Sequence, residues 1–155
     1  MGEIVINGER KDYFPSLFTI DTYTGQVIHG VWDRICALLQ LGILHSRGEL
    51  TLAIIKDALL LEHFQLWTFT REGLILTIML TEIRQYPMKK SCNMVLVAGQ
   101  DLSKIWPQLL PYMKTWLKAN DVTELQTTCR ESVARISRSL GFREAARVMV
   151  YDFEA

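Results

Sequence analysis

The sequence predicts an α/β fold: a mixed, mostly antiparallel central sheet flanked by helices on both faces. Two continuous apolar runs, residues 74–80 and 94–98, read as adjacent strands buried on both sides, which requires a layer of helices on each face. The tripeptide Arg71-Glu72-Gly73 joins the first of these runs to the strand formers Leu66, Trp67, Thr68 and Phe69, making a hairpin. Around the strands lie segments in which apolar residues recur at helical spacing.

Composition fits one folded domain over residues 1–155. Apolar residues make up 49% and charged residues 22% of the sequence, the balance of a globular chain with a core. A length of 155 residues buries enough surface to need no staples. The 17 basic and 17 acidic residues cancel, so no global field draws the chain to nucleic acid or an acidic membrane, and little charge opposes self-association. Cys36, Cys92 and Cys129 match neither a disulfide framework nor a zinc pattern, so no metal is expected, and free thiols fit a reducing cytoplasm. No apolar run spans a membrane, and residues 1–12 lack the order of a secretion signal.

Residues 1–25 are irregular: 3–6 alternate weakly, Asn7-Gly8 signals a turn, and 17–20 form a short strand. Val27, Val31, Ile35, Leu38, Leu39 and Leu41 predict a helix stopped by Gly42, and Leu52, Ile55, Leu59 and Phe64 a second one over 50–64. The hairpin strands follow, ended by Tyr86-Pro87, then a strand over 93–98 closed by Gly99. Asp101 or Ser103 caps the next helix, whose stripe is Ile105, Leu109, Leu110, Met113 and Leu117; Pro107 suits its first turn and Pro111 should kink or restart it. A strand over 122–128, a helix over 131–140, a left-handed stop at Gly141 and a strand over 146–153 complete the chain.

This order of elements, together with Ser139-Leu140-Gly141-Phe142-Arg143-Glu144, resembles the GNAT acyltransferase superfamily over residues 27–153. Gln65-Leu66-Trp67, Thr81-Glu82-Ile83 and Tyr86-Pro87 further resemble GNAT-like proteins encoded by tailed bacteriophages, which implies a host-cytoplasmic or virion-associated protein. The resemblance implies acetyl-CoA as cofactor, held by a Q/R-x-x-G-x-G/A loop whose backbone N–H groups face the pyrophosphate at a helix N-terminus. Here the corresponding stretch, Val97, Ala98, Gly99, Gln100, Asp101 and Lys104, departs from that pattern: Asp101 stands at the arginine position, and Lys104 and Trp106 stand at the two glycines. An acidic group repels the phosphates, and an indole fills their space.

The tyrosine that the resemblance implies as the acid protonating the thiolate falls at Ser137, whose hydroxyl is shorter and less acidic than a phenol. Glu82, late on a central strand, is the candidate general base, with an ion pair to Arg84 as the plain alternative. Trp106, if exposed, would anchor a protein interface, and Arg130 and Arg138 belong to a basic cluster that suits a partner's carboxylates or a solvated helix face. The expected function is therefore a GNAT-like scaffold with no cofactor and a protein partner, a virion protein or a second copy. The alternative is an acetyl-CoA-dependent N-acetyltransferase with an unusual pyrophosphate loop.

Overall fold

A computed structural model of the chain describes residues 4–6 and 9–11, as backbone, and residues 18–153. Two short strands, β1 (Ile4–Ile6) and β2 (Glu9–Lys11), pair antiparallel as a separate two-stranded sheet. The expected Asn7-Gly8 turn lies outside the described residues.

The main sheet has five strands in the order β3-β4-β5-β6-β7: β3 (Phe18–Tyr23), β4 (Gln65–Arg71), β5 (Leu74–Gln85), β6 (Lys90–Gly99) and β7 (Glu124–Thr127). The first four run antiparallel, and β7 lies parallel to β6. The mixed, mostly antiparallel sheet is thus as the patterning predicts, and the two apolar runs are adjacent strands at its centre.

Each face of the sheet has its own core. On one face, a 3₁₀ turn (Gly25–Gly30), α1 (Trp32–Ile43) and α2 (Leu52–Leu60) cover Leu66, Ile78, Leu80, Leu96 and Ala98. On the other, α3 (Leu102–Ala119) covers Trp67, Met79, Cys92 and Met94 with Trp106, Leu109, Met113 and Leu117. Strand residues alternate between these cores because successive side chains point to opposite faces. After β7, α4 (Glu131–Ser139) packs Val133 and Ser137 inward.

The structure corrects several element boundaries. Residues 27–30 belong to the 3₁₀ turn rather than to α1, and α2 starts after Thr51, whose side chain accepts the Ile54 N–H at 3.2 Å. Gly42 does not stop α1; it lies inside the helix, where a Cβ would come within 2.5 Å of the Leu96 side chain. Its role is close helix–strand approach rather than chain reversal. Pro111 neither ends nor restarts α3, because it and Pro107 both face solvent, where water can satisfy the carbonyls they leave unbonded. The predicted strand over 146–153 is absent: residues 143–153 have no regular secondary structure and are exposed.

Gly141 has φ of +100° with open space around its missing Cβ, whereas Gly42 has ordinary helical backbone and no space. Gly141→Val should therefore cost about 1–2 kcal/mol through backbone strain. Gly42→Val should cost about 1–3 kcal/mol through overpacking against Leu96. Leu96→Ala added to each variant separates the two causes in urea denaturation: it should partly rescue Gly42→Val and not Gly141→Val.

Candidate functional site

The site begins with an irregularity in β6. Thr81 is opposite Met94 and Leu80 is opposite Leu96, so Val95 is an extra residue in the ladder with β5. Such a bulge bends its strand and increases the local twist. On the other side of β6, pairing with β7 covers only Ser91–Met94 against Glu124–Thr127. Beyond Met94, β6 runs on to Gly99 while the chain after Thr127 turns away into α4. The two strands part at the bulge.

A cleft of about 1790 Å³ opens where they part. Met94, Val95, Leu96 and Val97 line its strand side; Leu110, Lys114, Leu117 and Lys118 of α3 and Val133, Ala134 and Ser137 of α4 also line it. Arg130, Arg138 and Arg143 are further lining residues. Asp121, Glu124, Glu131 and Glu144 also line it, but the eight lysines and arginines of the lining outnumber these four carboxylates, and Lys114, Lys118, Arg130 and Arg143 form no ion pair among the described residues, so this side of a neutral chain is locally basic. Such a surface favours anionic ligands or acidic side chains.

Of the residues expected at the pyrophosphate loop, only Val97 lines the cleft. Ala98 points into the core under α1 and α2. Gly99 has φ of +145°, and a Cβ there would collide with the Leu76 carbonyl and Thr77. The Gln100 N–H donates to the Leu76 carbonyl at 3.0 Å, and its own carbonyl accepts from Thr77 Oγ1 at 3.1 Å. The loop is thereby fastened to β5, and the Gln100 amide is not offered to a ligand. Asp101 and Lys104 are exposed outside the cleft lining.

Neither proposed cap operates. Asp101 occupies the N-cap position but has left-handed backbone, φ 53°, and its side chain makes no capping bond; only its carbonyl is used, accepting the N–H groups of Lys104 and Ile105 at 2.9 Å. Ser103 lies inside the helix.

Trp106 corrects the expectation of an exposed anchor. It is 1% exposed, inside the core beneath α3, and its Nε1–H donates to Ser137 Oγ at 3.2 Å. Its ring lies 5.9 Å from that of Phe142. Ser137, 2% exposed, is thus the acceptor for a buried indole, and the pair fastens the start of α3 to the end of α4. Tryptophan is large enough to bridge two helices and needs a partner for its N–H when buried.

Glu82 is half-buried and sits 3.2 Å from Arg84, whose pKa is raised first by that hydrogen bond. It lines no part of the cleft. Arg138 is paired with Glu131 at 2.8 Å, and the guanidinium holds that carboxyl below its usual range. Arg130 supplies the backbone cap of α4, its carbonyl accepting the N–H groups of Val133 and Ala134. Cys92 is buried, and desolvation pushes its thiol up to about 11. No group of side chains suited to a metal ion occurs among the described residues.

The cleft's lysines escaped sequence reasoning. Leu110, Lys114 and Lys118 are spaced four apart and so share a stripe of α3. That stripe was legible as a helix face, but its proximity to Arg130 and Arg143 depends on the crossover that returns the chain beside β6.

No protein-family model and no curated protein sequence matches the chain. Solved structures do. The aminoglycoside N-acetyltransferase AAC(6')-Iy in complex with CoA aligns with a TM-score of 0.69 at 15% identity, over 90% of this chain and 97% of that one. The aminoglycoside acetyltransferase meta-AAC0020 from an uncultured soil metagenomic sample, in complex with sisomicin, gives 0.67 at 10% identity over 89% and 96%. A predicted acetyltransferase from Clostridium acetobutylicum with acetyl-CoA gives 0.63 at 9% identity over 88% and 96%. The chain therefore has the fold of the GNAT acetyltransferases.

Two outcomes test this description. Ser137→Ala should cost about 1–3 kcal/mol, because it strands the buried indole N–H of Trp106, and Trp106→Phe added to it should recover part of that loss. Urea denaturation of the single and double variants checks the coupling. The Cys92 thiol, raised by burial from its ordinary value of 9.0 to about 11, stays protonated in the folded chain after the unfolded chain has ionised. Its contribution is complete below pH 9 and lost as pH rises towards 11. The urea midpoint should accordingly fall more steeply over that window than in Cys92→Ala.

Proposed function

We propose that this chain is a GNAT scaffold that does not use acetyl-CoA in the usual way and instead binds a protein through the basic cleft between β6 and β7. The observation that carries this reading is the Trp106–Ser137 contact. The residue aligned with a glycine of the pyrophosphate loop is an indole fastened across α3 and α4, and the residue aligned with the thiolate acid is its hydrogen-bond acceptor. Asp101 adds a negative charge at the helix start, where phosphate would need a positive one. Lys114, Lys118, Arg130 and Arg143 suit an acidic segment of a partner. The resemblance to phage-encoded proteins makes virion proteins the first partners to test.

The second reading is a working N-acetyltransferase, and one observation favours it: the strands do part, leaving a cleft beside the free edge of β6. In that reading the cleft arginines and lysines would take over the phosphate charge from the missing loop.

Isothermal titration calorimetry with acetyl-CoA separates the two. The first reading expects no binding, or a dissociation constant in the millimolar range, weaker than about −5 kcal/mol. Binding in the micromolar range with turnover of an amine acceptor would transfer the chain to the second. Asp101→Arg removes the acidic group without touching the core; on the first reading it should raise a weak affinity less than about tenfold, since the indole remains.

A further inference from the structure

The cleft passes through the plane of the sheet. Gly42, His45, Ser46 and Arg47, at the end of α1 and just beyond it, line it from one face, and Leu110, Lys114 and Lys118 of α3 line it from the other. Between them runs the edge of β6. From Val95 to Gly99 this strand has β5 on one side and no strand on the other. Every second residue of such an edge aims its N–H and C=O away from the paired neighbour, so about two residues here offer ladder bonds to the cleft. The side chains on that edge already part to the two faces: Leu96 joins the core beneath α1, and Val97 packs against the core beneath α3.

The two faces of the cleft ask for different groups. Of its carboxylates, Glu124, Glu131 and Glu144 are already held by Lys89, Arg138 and Arg147 at 3.0, 2.8 and 2.8 Å. Asp121 alone is left against the unpaired Lys114, Lys118, Arg130 and Arg143 among the described residues, so the α3 side calls for further carboxylates. On the α1 side Ser46 Oγ is buried with no hydrogen-bond partner among the described residues. Gly42, where a Cβ would come within 2.5 Å of Leu96, holds α1 close to the sheet, so only short side chains fit there.

We infer that the partner enters as an extended segment of about five residues that adds a strand to the free edge of β6, with acidic side chains at alternate positions toward α3 and short polar ones between them toward α1. A strand is the ligand shape that meets both faces at once, since its backbone lies in the sheet and successive side chains leave on opposite sides. The spacing also matches. Lys114 and Lys118 lie about 6 Å apart along the axis of α3, and side chains two residues apart on a strand are separated by about 6.6 Å. The bulge at Val95 bends β6 where its pairing with β7 ends, which makes room for the incoming strand. The inference rests on the cleft being a protein-binding site and specifies what enters it.

Fluorescence anisotropy of the full chain with labelled, end-capped octapeptides tests it. In one peptide glutamate and serine alternate, and in the other the same residues form two blocks. The alternating peptide should bind in the micromolar range, at least about tenfold more tightly than the block peptide. Successive residues of a strand aim their amides in opposite lateral directions, so N-methylation of the glutamate amides and of the serine amides should differ: one series loses binding and the other keeps it. Lys114→Glu combined with Lys118→Glu, both at exposed positions, should weaken the alternating peptide at least about tenfold. Should that variant not fold, Lys114→Gln with Lys118→Gln serves the same purpose. Equal affinity for the block peptide, or two methylated series that behave alike, overturns the strand inference while an acidic partner stands. Unchanged affinity in the lysine variants also overturns it, since the peptide would then lie elsewhere. Failure of both peptides to bind overturns the inference and the acidic-partner reading together.

Discussion

The parting of β6 from β7 is the constraint on which the rest of the molecule depends. Parallel neighbours cannot be joined by a tight turn, so the chain crosses over through α3 before returning as β7. The bulge at Val95 bends β6 at the point where this pairing ends, and β7 stops after four residues. A cleft follows from those two facts without any special side chain. Its chemistry then comes from what α3, α4 and the segment after Thr127 present to it, and in this chain they present mostly cations, with the carboxylates Glu131 and Glu144, aliphatic groups and a serine already engaged.

A cleft and a phosphate cradle are separate devices, and on the proposed reading this chain keeps the first without the second. A helix start binds anions through amides that are free and reachable. Here the preceding loop is secured to β5 by both backbone polar groups of Gln100, the N-cap residue is an exposed aspartate in left-handed conformation, and the first turns of α3 are held against α4 by a buried indole. These interactions stabilise the fold in a place where an acyltransferase needs accessible backbone. Preorganisation for packing and preorganisation for phosphate make opposite demands on the same residues.

The layered fold was legible because it rests on period. The two-faced apolar runs of β5 and β6, the hairpin at Glu72-Gly73 and the stripe of α3 each have one physical reading, and positive φ at Gly141 follows from a helix that must stop and turn. Misreadings arose where a residue's role is set by what it meets across the fold. Gly42 has the form of a helix stop until Leu96 is placed beside it; Pro111 has the form of a break until its side is known to face water. Trp106 follows a polar helix start and reads as exposed, yet Ser137, 31 residues later, supplies the acceptor that allows its burial. Residues 146–153 have strand chemistry, but a strand exists only where an edge receives it. Of the site, the departures at Asp101, Lys104 and Trp106 and the arginines near α4 were legible in the sequence, while the lysines of α3 entered only through topology.

On the proposed reading the Trp106 indole is a permanent tie between α3 and α4, and an acyl carrier finds no room at the helix start. Proton NMR of the tryptophan indole N–H signals during titration with CoA tests this most directly. The Trp106 signal, assigned by its loss in Trp106→Phe, should stay slow to exchange and unshifted at millimolar CoA. A shift of that signal, or loss of its protection as CoA is added, would show instead that the tie opens for the cofactor.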